Sequence, residues 1–230
     1  MDIKNVVGDY KNFVFIGGAG SGKSELALNF ALWLKNEYQS GECHFFDLDM
    51  TKPLFRSRDL DEYMKSNGIS MHFQEQFMDA PTVIGGVRPM LKNSSLFTVL
   101  DIGGDFIGAR SIGGFQNELN RNDTKIFYVL NAFRPWTSTI EHIDETLGKI
   151  LGVSHIKLEK LSFINNSNLG AQTSSTDLIS ATLKLEKILE PHIKIEFSTV
   201  HENIYEKIKL VQNINVYPIH LHLNYSWNVE

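Results

Sequence analysis

The sequence predicts an α/β protein with a mostly parallel central sheet and helices on both of its faces. Two observations point there. Short apolar runs rich in Val, Ile and Phe alternate with helical patterns along the chain, as in parallel strands joined by crossover helices. The first run leads into the octet Gly17-Gly18-Ala19-Gly20-Ser21-Gly22-Lys23-Ser24, which satisfies G-x-x-x-x-G-K-[ST] between a strand and a helix.

The expected strands, in order, are residues 13–16, 44–48, 96–100, 125–130, 161–164, 193–197 and 216–219. Between them, Leu26, Phe30 and Leu34, then Ile140, Ile143, Leu147 and Ile150, then Leu178, Ala181, Leu185 and Ile188 step by three or four, the spacing of one helix face. Ser138 with Glu141, Ser174 with Asp177, and Thr199 with Glu202 have capping-box spacing and are expected to open helices. Residues 68–93 are the least legible, with weak strand character at 70–73 and a Gly85-Gly86 pair; they are expected to be a variable, surface-facing stretch. The tail from 216 to 227 alternates like a strand and carries no Lys or Arg.

With 22 Lys plus Arg against 27 Asp plus Glu, the formal charge of −5 is spread along the chain. That balance argues against a broad footprint for nucleic acid or anionic lipid, so neither a nucleic-acid nor a membrane partner is expected. No repeat, low-complexity tract or linker divides the sequence, so residues 1–230 are expected to form a single nucleotide-binding domain. The single cysteine, Cys43, excludes an internal disulfide and any CxxC motif. No run approaches the roughly 18 apolar residues of a spanning helix. The start, with Asp2 and Lys4, lacks the basic-then-apolar order of a signal peptide. A cytoplasmic location is the expectation.

The glycine-rich octet carries the chemistry. Glycines let successive amides converge on a phosphate while the helix N-terminus adds its dipole. Gly18, Ala19, Gly20, Ser21, Gly22, Lys23, Ser24 and Glu25 are therefore expected to bind phosphate groups. Lys23 would reach the β- and γ-phosphates and take part in catalysis, and the Ser24 hydroxyl would ligate Mg²⁺. Strand two ends in Phe46-Asp47-Leu48-Asp49. Ligands bind at the carboxyl ends of strands in open parallel sheets, and alternation separates the two side chains. Asp47 is assigned to the Mg²⁺ shell and Asp49 to orienting the attacking water. Strand three ends in Leu100-Asp101-Ile102-Gly103-Gly104, where Asp101 suits a Mg²⁺ contact and Gly104 an amide for the γ-phosphate. The glycine-bearing stretch 105–114 is expected to move with nucleotide state, although its glycines would equally serve an inert turn. Asn165 and Asn166 stand where such folds read the base, and amides offer both donor and acceptor. A guanine-reading loop would use an acid where Asn168 stands, which points to ATP.

These motifs, together with Asp49-Met50-Thr51-Lys52-Pro53-Leu54-Phe55-Arg56-Ser57-Arg58, Asp101-Ile102-Gly103-Gly104-Asp105, Asn131-Ala132-Phe133-Arg134-Pro135 and Asn165-Asn166-Ser167-Asn168-Leu169-Gly170, resemble a bacterial ATP-binding family related to the MinD/ParA/CobQ/CobB P-loop ATPases. The resemblance spans nearly the whole chain. It implies a Rossmann-like sheet, Mg²⁺ and ATP as cofactors, and slow hydrolysis coupled to dimerisation or a protein partner. MinD and ParA proteins carry a second lysine early in the loop that crosses to the partner's nucleotide; Gly18 stands there in this chain. Arg56 and Arg58 foremost, then Arg110 and Arg134, are candidates to replace it.

Three functions follow. The first is an ATPase switch serving a protein partner, a second copy or enzyme maturation. The second is an ATP-dependent small-molecule ligase or kinase of the dethiobiotin or cobyrinate synthetase type, with an acceptor pocket involving Arg88 and Arg134. The third is a degenerate nucleotide-binding module, against which Lys23, Ser24, Asp49 and Asp101 all speak. His220 and His222 lie two apart on the tail, and no metal site beyond Mg²⁺ is assigned to them.

Overall fold

The computed structural model describes residues 3–49, 60–73, 86–190, 192–210 and 214–223. Its centre is strand β1 (Asn12–Ile16), buried at every position because both faces of the sheet are covered. Then come β2 (Cys43–Leu48), β3 (Ile69–Phe73), β4 (Phe97–Ile102), β5 (Thr124–Leu130), β6 (Leu161–Asn165), β7 (Ile195–His201) and β8 (Val216–Ile219). They form one sheet in the order β3-β2-β4-β1-β5-β6-β7-β8. Every neighbouring pair is parallel. The order reverses around β1, which places its carboxyl end at the crevice where such sheets bind ligands.

Alternation along the strands sorts their side chains into two apolar layers. Phe13, Phe15, Phe45, Val99, Phe127 and Val129 face α1 (Lys4–Val7), α2 (Lys23–Glu37) and α3 (Asp61–Ser66). Val14, Ile16, Phe46, Leu100, Tyr128 and Leu130 face the other side. There they meet α4 (Val87–Lys92), α5 (Phe106–Arg110), α6 (Gln116–Leu119), α7 (Ile140–Ser154) and α8 (Ser175–Leu189). A smaller cluster joins Leu178 of α8 to Ile208 of α9 (Glu202–Ile208) and Val216 of β8. Phe30 anchors α2, its ring centroid 4.8 Å from Phe13, 5.5 Å from Phe15 and 5.4 Å from Phe127. Removing a ring packed in this way costs about 3–5 kcal/mol, so the helix that carries the glycine-rich loop is fixed firmly to the sheet.

All seven expected strands form, and the weak signal at 70–73 belongs to the edge strand β3. Residues 74–85, including Gly85, lie outside the described residues. Two expected caps are displaced. Thr139, not Ser138, caps α7 by accepting from the His142 amide, while Ser138 bonds to Pro135 and His142. Thr199 lies inside β7, where its hydroxyl is used by Asn166, and His201 caps α9 instead. Ser174 and Asp177 form the expected capping box on α8. Past β8 the chain runs along α2. Asn29 of that helix exchanges two 2.8 Å hydrogen bonds with the backbone of His220.

Candidate functional site

The loop Gly17–Gly22 leaves β1 and enters α2 through Gly22, whose φ of 83° is a left-handed conformation open to glycine at little cost. A Cβ there would also fall 2.2 Å from the side-chain nitrogen of Asn166. The loop is held from outside by side chains. Asn166 donates to the Ser21 carbonyl (2.8 Å), Arg134 through Nε to the Gly20 carbonyl (3.0 Å), and Asn131 to Gly20 (3.4 Å). With carbonyls so engaged, the loop is preorganised to present its amides to an anion.

Lys23 is 2% exposed although it carries an ammonium, and its Nζ donates to the Gly18 carbonyl at 3.3 Å. The parallel register places Asp47 directly opposite Asp101. The Asp49 amide donates to the Asp47 carboxylate at 3.1 Å, which turns the chain as it leaves β2. Asp101 is buried, and its carboxyl is pushed up to about 7, first by burial and then by the charge of Asp47. Lys23 and the nearby Ser24 hydroxyl counter the rise, and Asp49 adds to it. A Cβ on Gly104 would lie 2.7 Å from the Ala19 Cα and 2.8 Å from the Lys23 Nζ, so only glycine permits this approach of the β4 end to the loop. Lys23, Ser24, Asp47, Asp49, Asp101 and Gly104 thus converge at the carboxyl ends of β1, β2 and β4.

Three carboxylates around one ammonium leave surplus negative charge that suits a divalent cation. Among the described residues no three His, Cys, Asp or Glu side chains form a metal-holding group by themselves. The donor set therefore fits Mg²⁺ as an ion shared with phosphate oxygens and water, the usual habit of this cation.

Other expected residues stand elsewhere. The Asn165 side chain is fully buried, donating to Thr182 and Ser198 and accepting from Ser167. Asn166 is spent on Ser21 and on Thr199, whose hydroxyl donates to it. Neither amide is presented to a base; both are framework, a correction to the expectation that they read it. Glu25 turns its carboxylate away from the loop to accept the backbone amides of His222 and Leu223. Burial pushes that carboxyl up to about 7 despite the two amides. Only its position in the first turn of α2 remains available to a phosphate. Arg110 is on the exposed end of α5, and Arg56 and Arg58 lie outside the described residues. His220 pairs with Glu202 at 2.6 Å. The expected switch segment opens with α5, capped by Asp105 accepting from the Gly108 amide.

Sequence reasoning missed Trp136. Its indole lies against Gly18, so that a Cβ there would come 2.3 Å from Nε1. The available signal was a lone tryptophan in a polar turn directly after a strand that ends beside the phosphate loop.

Several solved structures share this architecture. FtsY from Mycoplasma mycoides is 14% identical over 85% of this chain and 62% of its own, with a TM-score of 0.55. Cell division protein FtsY from Thermotoga maritima is 14% identical over 84% of this chain and 62% of its own, with a TM-score of 0.50. The signal recognition particle 54 kDa protein from Aeropyrum pernix, solved in complex with GDP, is 12% identical over 83% of this chain and 41% of its own, also at 0.50. This chain spans less than two thirds of each of them. No protein-family model matches the sequence, and no curated protein does. Fold and glycine-rich loop together define the class: a Rossmann-like P-loop NTPase fold. These structures do not show the narrower relation to MinD and ParA.

Proposed function

We propose that this protein is a Mg²⁺-dependent P-loop ATPase that acts as a nucleotide-dependent switch for a protein partner. The observation that carries the reading is the contact of Gly104 with Ala19 and Lys23, one residue before the Asp105 cap of α5. A γ-phosphate bound between the loop and the Gly104 amide would bear directly on the start of α5. That helix exposes Phe106 and Ile107, 48% and 59% accessible, the type of surface a partner covers. Lys23 and the loop amides would hold the phosphates, and Asp49 would orient the attacking water. Ser24 would hold Mg²⁺ directly, with Asp47 and Asp101 behind its water shell; the ion neutralises phosphate charge during transfer.

ATP is preferred over GTP in this reading because no carboxylate stands in residues 165–170 to accept from the N1 and 2-amino groups of guanine. The relative solved with GDP keeps guanine as the competing base. Hydrogen exchange across residues 104–112 tests the switch. Protection that differs between a non-hydrolysable ATP analogue and ADP is expected; identical protection contradicts it.

The ligase or kinase reading rests on a cavity of about 410 Å³ beside α5, lined by Val87, Arg88, Pro89, Arg110, Ser111 and Phe115. Arg110 lines it, while Arg88 is turned to Glu118 and the Gly114 carbonyl, and Arg134, expected in the acceptor pocket, lies on the phosphate loop instead. ATP turnover that appears only when a small carboxylic acid is added would favour it over the switch.

A further inference from the structure

The chain leaving β5 folds over the outside of the phosphate loop. Asn131, fully buried, accepts from the Phe133 and Asn168 amides (3.0 and 3.3 Å), and the Arg134 amide returns to its carbonyl at 3.0 Å. The Thr137 hydroxyl donates to the carbonyls of Asn131 (2.5 Å) and Arg134 (2.8 Å). These bonds lock the backbone at Arg134 and aim its side chain at the loop. Nε meets the Gly20 carbonyl at 3.0 Å, and a Cβ on Gly20 would lie 3.1 Å from the same nitrogen. Among the described residues the two terminal guanidinium nitrogens of Arg134 have no hydrogen-bond or ion-pair partner. Beside it the Trp136 indole covers Gly18, and its buried N–H also has no acceptor among the described residues.

A half-buried guanidinium with two amino groups unused has the geometry to take an anion, and buried N–H groups left without acceptors are rare in folded proteins. Both donors lie over one loop, the loop read above as binding phosphate. We propose that Arg134 and Trp136 form a donor pair, supplied within the same chain, for the outermost phosphate of the bound nucleoside triphosphate. The proposal rests on the P-loop reading and deepens it. The indole also occupies the space a side chain would need at Gly18.

The test is calorimetric binding of Mg-ATP and Mg-ADP to the parent protein, Arg134→Ala, Arg134→Lys and Trp136→Phe, with thermal melting of each. Loss of charged hydrogen bonds to the last phosphate is expected to weaken ATP about tenfold or more in Arg134→Ala. ADP should change by less than about threefold, within the range of one neutral hydrogen bond. Arg134→Lys should recover part of the ATP affinity. Trp136→Phe keeps a ring over Gly18 and deletes only the N–H; it should weaken ATP by about three- to tenfold and leave ADP unchanged. The parent's ATP affinity should not vary with protein concentration, since both donors act within one chain. Equal effects on ATP and ADP, or parent-like ATP binding by Arg134→Ala and Trp136→Phe, would overturn the proposal. If the parent itself fails to bind ATP, the P-loop reading fails first.

Discussion

Replacing Asn166 with alanine separates a framework role from a base-reading one. The residue is 1% exposed and joins the phosphate loop to β7: it donates to the Ser21 carbonyl at 2.8 Å and accepts from the Thr199 hydroxyl at 2.7 Å. Asn166→Ala deletes both bonds, each worth about 0.5–1.5 kcal/mol net, and strands a buried carbonyl and hydroxyl. The expected total is about 2–4 kcal/mol, read as a lower urea midpoint with an unchanged slope. Without the bond at Ser21 the loop loses preorganisation, so ATP and GTP should both bind more weakly by the same factor. Thr199→Val, which removes the far bond alone, should cost about 1 kcal/mol and leave nucleotide affinity nearly intact. A parent-like urea midpoint, or a changed ATP-to-GTP ratio with stability preserved, would refute this account of Asn166.

Gly104→Ala sets a methyl 2.7 Å from Ala19 and 2.8 Å from the Lys23 Nζ; it should abolish tight ATP binding in calorimetry while the fold, followed by circular dichroism, persists. Gly18→Ala should cost about 1–3 kcal/mol by overpacking against Trp136, and measurably less in a Trp136→Ala background. Asp49→Asn should bind ATP nearly normally and lower single-turnover hydrolysis on the order of 10²- to 10⁴-fold; if Asp47→Asn alone slows hydrolysis, the two strand-end carboxylates have exchanged roles. The Glu25 carboxyl is raised from 4.5 to about 7, so the folded state binds the extra proton between those values. Its contribution therefore weakens stability as pH rises from about 4.5 to about 7, by roughly 3 kcal/mol in total. Asp101 acts in the same direction, so Glu25→Gln should flatten only part of that decline in urea titrations at pH 5, 6 and 7.

The sheet was legible because its strands are buried on both faces and read as unbroken apolar runs, and because the phosphate loop marks the end of β1. Lys23, Ser24, Asp47, Asp49, Asp101 and Gly104 were legible for the same reason: strand ends in a parallel sheet share one edge. What failed involved polar residues whose partners are distant in sequence. Thr199 has the spacing of a helix cap, yet its hydroxyl is taken by Asn166 from a neighbouring strand. Asn165 and Asn166 have the chemistry to read a base, but buried amides satisfy themselves on whatever surrounds them, here Thr182, Ser198, Ser21 and Thr199. Glu25 looked like part of the phosphate site because it follows Ser24; one helical step turns its side chain onto the strap at 222–223. The seating of Trp136 on Gly18 joins residues far apart in sequence, and the tryptophan in the turn after β5 was its one local sign.

The most direct measurement is equilibrium titration of the parent and Lys23→Ala with Mg-ATP. Lys23 is a buried ammonium held at the mouth of the loop, beside Gly104 and Asp101. The parent is expected to bind one ATP per chain, and Lys23→Ala to bind it at least about tenfold more weakly through loss of charge-assisted phosphate contacts. Absence of binding by a folded parent, or the same affinity in both proteins, would contradict the assignment of this loop as a nucleotide site.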